Sequence, residues 1–63
     1  MADVLLLTPE EAAKRLSIGR SAVFDLLRRG ELESLTIGRS RRIPRDALLK
    51  FIEAQRQAQL GLA

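Results

Sequence analysis

Histidine and cysteine are absent from the 63 residues, as are tryptophan and tyrosine, and phenylalanine occurs only twice. Without an imidazole or a thiol there is no zinc site of the usual kind, no thiol nucleophile, no imidazole general base and no disulfide framework. Proline occurs twice and glycine four times, and no linker, repeat or low-complexity tract is visible. Long apolar runs are also missing. The longest, Val4-Leu5-Leu6-Leu7, falls far short of the ~20 residues that span a bilayer. It follows Asp3 with no basic stretch before it, unlike a signal peptide. At 7.0 kDa the chain has the size of one small domain, near the lower limit for folding alone, whereas a three-layer α/β enzyme needs more chain. The expectation is a cytoplasmic binding module, not an enzyme, with no metal, cofactor, small-molecule ligand or membrane. It forms a single domain over residues 1–63, with an ordered core over about 5–56 and a frayed tail over 57–63.

What is present is charge, unevenly placed. The formal net charge is +3, but residues 1–13 carry Asp3, Glu10 and Glu11 with no basic residue. Residues 14–45 carry Lys14, Arg15, Arg20, Arg28, Arg29, Arg39, Arg41, Arg42 and Arg45 against Asp25, Glu31 and Glu33, a formal +6. Residues 46–63 balance, with Lys50 and Arg56 against Asp46 and Glu53. Arginine dominates the basic set, and its planar fork suits phosphate and guanine edges. A solvated surface explains the composition equally well, so position along the fold has to decide.

Thr8-Pro9-Glu10-Glu11 has the form of a helix start: a capping threonine, proline at the first position and Glu11 completing a capping box. Ala12, Ala13 and Leu16 continue a helix of about two turns. Ser17-Ile18-Gly19 reads as a tight turn with Ile18 as its buried plug. A second helix is predicted over Arg20–Arg29, with Val23, Leu26 and Leu27 inside and Gly30 ending it. Its opposite face carries Arg20, Ser21, Phe24, Asp25 and Arg28. Two short helices joined by so short a turn form a helix-turn-helix. The period then changes to two: Leu35 and Ile37 alternate with Ser34 and Thr36 as a half-buried strand. Gly38-Arg39-Ser40 turns, and Arg41-Arg42-Ile43 returns to a stop at Pro44. A bare hairpin is unstable, so Leu35, Ile37 and Ile43 are expected to pack on the helices. Arg45 to about Gln59 forms the last helix, with Leu48, Phe51, Ile52 and Gln55 along one face; Leu60 and Leu62 follow it, disordered or free for self-association. The fold class is mainly α with a small β-hairpin, in the order α-α-β-β-α.

Five stretches of this chain, Leu7-Thr8-Pro9-Glu10-Glu11-Ala12-Ala13, Leu16 to Phe24, Leu27-Arg28-Arg29-Gly30-Glu31-Leu32, Ile37-Gly38-Arg39 and Arg42 to Leu48, together resemble the excisionase-family DNA-binding domain. That family is a compact winged helix-turn-helix related to the DNA-binding domain of MerR-type regulators. The resemblance covers about residues 5–53. It implies a recognition helix in the major groove of double-stranded DNA and a hairpin wing on the backbone or minor groove. It further implies a recombination directionality factor of a phage or mobile element. Such a protein binds near an attachment site, usually as several adjacent copies, bends the duplex and favours integrase-driven excision. Self-association on DNA and an integrase sharing that DNA are the implied partners. Two positions depart from the family: Gly19, where serine is common, and Asp25, where arginine or lysine is usual. The target sequence therefore does not carry over.

On this reading the recognition-helix contacts are Arg20, Ser21, Phe24, Asp25 and Arg28, and the wing contacts are Arg39, Ser40, Arg41 and Arg42. Phe24 either packs half-exposed against sugar-phosphate or joins the core. Asp25 either accepts from a cytosine amino group or orients Arg28 or Arg29. Arg29 also suits the negative end of the helix dipole. Alternation along a strand forbids Arg41 and Arg42 from pointing the same way, so Arg42 either reaches DNA, covers the core, or pairs with Glu31 or Glu33. Val4–Leu7 is either staple and core or a partner-binding strand. Two other functions compete with the excisionase: a small transcriptional regulator on a promoter, and a protein-interaction module. The expectation that no sensor or dimerisation domain follows favours the excisionase over a MerR-type regulator.

Overall fold

The structure, a computed structural model, describes residues 5–61. Val4 and Leu62, considered above, lie outside the described residues. The element order is β1 (Leu6–Leu7), α1 (Pro9–Leu16), α2 (Arg20–Arg28), β2 (Leu35–Ile37), β3 (Ser40–Pro44) and α3 (Arg45–Gln59). The predicted helices and hairpin are all present, and the winged helix-turn-helix order holds with one addition, the short strand β1.

The start of α1 follows from four residues. Thr8 Oγ1 accepts from the Glu11 N–H at 3.0 Å, and Glu11 Oε1 accepts from the Thr8 N–H at 2.9 Å. Two N-terminal donors that lack helical partners are thereby satisfied, while Pro9 occupies a first-turn position where no N–H is needed. The helix ends where Ser17 turns left-handed at φ 58°. Ala12 and Val23 are fully buried between α1 and α2. Contrary to expectation, Ile18 is 38% exposed.

Helix α2 buries Val23, Leu26 and Leu27, as its spacing predicts. It closes with Gly30 at φ 75°; the Glu31 N–H donates to the Leu26 carbonyl at 2.9 Å and the Gly30 N–H to the Leu27 carbonyl at 3.2 Å. That pair of bonds is a Schellman motif. It delivers Leu32 into the core, only 2% exposed, a burial that the alternating pattern did not flag.

The three strands lie in the order β1-β3-β2, both pairings antiparallel. Leu6 faces Pro44 and Leu7 faces Ile43 on one side of β3. On the other side Leu35 faces Arg42, Thr36 faces Arg41 and Ile37 faces Ser40. This order corrects the hairpin packing. Only Ile43 of the three expected residues is buried; Leu35 is 39% exposed and Ile37 57%. β1 occupies the inner edge of β3, so Leu7 and Ile43 fill the space beneath the helices and β2 is displaced to the outer edge. Leu7 therefore belongs to the core, whereas Leu5 is exposed. As expected, Pro44 ends the return strand, and it occupies the N-cap position of α3 without a side-chain cap bond. The Arg45 N–H donates to the Leu5 carbonyl at 2.9 Å, joining the two. In α3 the inner face is Ala47, Leu48 and half-buried Phe51, with Ile52 turned outward. No charged side chain is buried among the described residues, and among them no helix is long and apolar enough to cross a membrane.

Candidate nucleic-acid interface

Burying Val23, Leu26 and Leu27 turns the other side of α2 to solvent. Arg20, Ser21, Phe24, Asp25 and Arg28 line one shallow concavity there, about 340 Å³ in volume. These are the five recognition-helix residues expected from periodicity, gathered on one face. Phe24 is half-buried, packed against the core cluster with the rest of its surface on this face. Its ring lies beneath the Arg20 guanidinium, with Cζ 5.3 Å from the ring centroid, a cation–π distance.

The wing owes its shape to a two-residue turn, Gly38-Arg39. Ile37 faces Ser40 across it, and Gly38 has φ 63° while Arg39 keeps an ordinary negative φ. Glycine in the first central position is the signature of a II′ hairpin, whose twist matches that of the flanking strands. Arg39 and Ser40 are thus held at the exposed tip. Arg41 and Arg42 part to opposite faces as alternation demands. Arg41 is exposed and its Nε donates to Ser34 Oγ at 3.0 Å. Half-buried Arg42 donates through Nη1 to the Arg41 carbonyl at 2.9 Å and acts electrostatically on Glu11. Glu31, one of the partners considered for Arg42, instead pairs with Arg29 at 3.6 Å.

The electrostatics of the two elements differ. Asp25 forms an ion pair with Arg28 one turn along α2. Arg20 Nε binds Glu10 Oε2 at 2.9 Å, tying the start of α2 to the first turn of α1. Both arginines of the α2 face are therefore matched by a carboxylate. The hairpin from Leu35 to Pro44 carries three arginines and no acid. The link to Glu10 is the feature that sequence reasoning missed, because it depends on how two helices cross and no local spacing encodes that. The Glu11 carboxyl titrates below its ordinary value, chiefly because it accepts the Thr8 backbone N–H; burial opposes the shift, and the Thr8 hydroxyl, Arg15 and Arg42 add to it. Among the described residues no cluster of acidic side chains could hold a metal ion.

A helix-turn-helix domain family matches residues 6–56. The chain is 57% identical over 44 residues to a probable excisionase of Saccharopolyspora erythraea, a match covering 70% of this chain and 45% of that protein. It is 48% identical over 50 residues to an excisionase of Streptomyces ambofaciens, covering 79% of this chain and 81% of that one. An uncharacterized protein of Mycobacterium tuberculosis is 38% identical over 55 residues, 87% of this chain and 48% of its own length. The chain thus spans less than half of the Saccharopolyspora and Mycobacterium proteins and most of the Streptomyces one. No solved structure matches it significantly. With the family match over most of its length, and an excisionase of similar size nearly half identical to it, the chain belongs to the excisionase family of helix-turn-helix domains.

Proposed function

We propose that this domain binds double-stranded DNA, with α2 in the major groove and the β2–β3 hairpin against the backbone or minor groove, and that it acts as an excisionase. The observation carrying this reading is the convergence of Arg20, Ser21, Phe24, Asp25 and Arg28 on one exposed face of the second helix, in a domain whose β2–β3 hairpin bears Arg39, Arg41 and Arg42. A helix presenting its N-terminal residues to base edges, with a basic element beside it on phosphates, is the docking geometry of helix-turn-helix proteins. Names of two relatives supply the biological role. The protein does no chemistry of its own. Several copies bind side by side near an attachment site, sharing that DNA with an integrase, and asymmetric neutralisation of phosphates bends the duplex. The bend brings distant integrase sites together and favours excision over integration.

Two measurements test the reading. If about five to eight phosphates are contacted, log K against log salt should slope between about −4.5 and −7; a flat response overturns DNA binding. An in vitro excision reaction with the cognate integrase should be stimulated by the protein. Salt-dependent DNA binding without stimulation would instead make it a promoter-binding regulator.

A further inference from the structure

The α2 face holds two arginines, but neither presents a bare positive charge. Arg20 is the first residue of α2, where a side chain is nearest to base edges in a helix docked by its N-terminus. Its guanidinium is fixed on two sides. Glu10 of α1 places Oε2 2.9 Å from Nε as an ion pair, and Arg20 Cζ sits over the Phe24 ring, 5.3 Å from its centroid. Both residues of the ion pair remain well exposed, with 67% of the Arg20 side chain and 53% of the Glu10 side chain open to solvent. An exposed pair of this kind adds little to folding stability. Its consequence is orientation, since an arginine otherwise loses rotamer freedom when it binds.

The choice of atom matters. Glu10 engages Nε, leaving Nη1 and Nη2, the two nitrogens that approach guanine O6 and N7 end-on in a bidentate contact. The charge matters as well. Arg20 paired with Glu10 is neutral as a unit, so it releases few counterions from a phosphate and gains little there. A hydrogen-bonding fork aimed at a neutral base edge loses much less from the pairing. The wing arginines, with no acid on their hairpin, have the opposite character.

We propose that Glu10 is a specificity-determining positioning residue: from α1 it holds the Arg20 guanidinium over Phe24, so that Nη1 and Nη2 read a guanine in the major groove. The proposal rests on the DNA-binding reading above, and it divides the work between a neutral helix face that discriminates and a charged wing that supplies affinity.

The experiment selects preferred sites from a randomised duplex pool with the intact protein, then compares wild type, Glu10→Ala, Glu10→Gln and Arg20→Lys on those duplexes across salt. Circular dichroism monitors folding, and Glu10→Gln keeps both side-chain length and an acceptor for Nε. Wild type should prefer guanine at one position by at least about fivefold. Glu10→Ala should lose most of that preference while binding unrelated duplex as well or better, with a log K–log salt slope steeper by about 0.9 as the released Arg20 finds a phosphate. Glu10→Gln should retain part of the preference, and Arg20→Lys should lose it. Substituting 7-deazaguanine at the same position should weaken wild type and leave Glu10→Ala unaffected. Full guanine preference and an unchanged slope in Glu10→Ala would overturn the positioning role while leaving DNA binding intact. A wild type that binds without selecting any site overturns the positioning role alone, and one with no salt-dependent affinity for duplex overturns both.

Discussion

Leu7 and Ile43 face each other across the β1–β3 pairing, and they are among the most completely buried side chains in the molecule. One lies immediately before the first helix cap and the other in the return strand of the wing. Their contact is what fastens the hairpin to the helical body, since β2 sits on the outer edge with Leu35 and Ile37 exposed. Ile43→Val should cost about 0.5–1.5 kcal/mol and Ile43→Ala about 2–5 kcal/mol. A domain of this size has only a few kcal/mol to lose, so the alanine variant should be largely unfolded in a denaturant titration and the valine variant measurably shifted. Equal midpoints for wild type and Ile43→Ala would show that the wing is not anchored there.

The capping box ties stability to pH. Thr8→Ala should destabilise the domain by about 1 kcal/mol, within a usual range of about 0.5–2 kcal/mol. The Glu11 carboxyl is lowered chiefly by the Thr8 N–H it accepts, so its ionised form is favoured in the folded state. Its contribution is therefore complete above the ordinary glutamate value and is lost as pH falls through the lowered one. Glu11→Gln should be less stable than wild type at neutral pH and should lose less on acidification. Thermal midpoints between neutral and strongly acidic pH measure both effects.

Two glycines that look alike in sequence should respond differently. Neither a Cβ at Gly38 nor one at Gly19 would touch a heavy atom within 4 Å, so crowding plays no part. Gly38 has φ 63°, where an L side chain strains the backbone, and Gly38→Ala should cost about 1–2 kcal/mol. Gly19 is extended at φ −71° and caps α2 without a side-chain acceptor. Gly19→Ser should stabilise by a few tenths of a kcal/mol, on the order expected when serine replaces a glycine cap. Denaturation midpoints that move in the same direction for both would contradict this assignment.

On DNA the two elements should be separable. Arg39→Ala, at the hairpin tip, should weaken binding to every duplex alike and flatten the salt slope by about 0.9. Arg20→Ala should leave binding to unrelated duplex nearly intact and reduce discrimination among sites by about 1–3 kcal/mol. Competition assays with selected and scrambled duplexes distinguish the two. A site-selective loss in Arg39→Ala would mean that the wing reads bases.

Several features of this protein were decided by the sequence by itself. The capping box of Thr8 and Glu11, the stop at Gly30, the turn at Gly38 and the divergence of Arg41 from Arg42 all depend on interactions within a few residues, and each was legible before the fold was known. So were the order of helices and hairpin and the grouping of five side chains on the outer face of α2. Tertiary structure decided what those local signals met. It put β1 against β3, which buried Leu7 and left Leu35 and Ile37 outside. It left Ile18 partly exposed in the turn between α1 and α2. Most consequentially, it carried Glu10 from the acidic first segment of the chain to the side of Arg20. Counted along the chain, the positive charge covers second helix and wing alike; in the folded molecule both arginines of the helix face meet a carboxylate, whereas the hairpin carries no acid of its own. A helix cap is a matter of bonds three residues apart, whereas a carboxylate reaching another helix depends on a crossing angle that only the packed core determines.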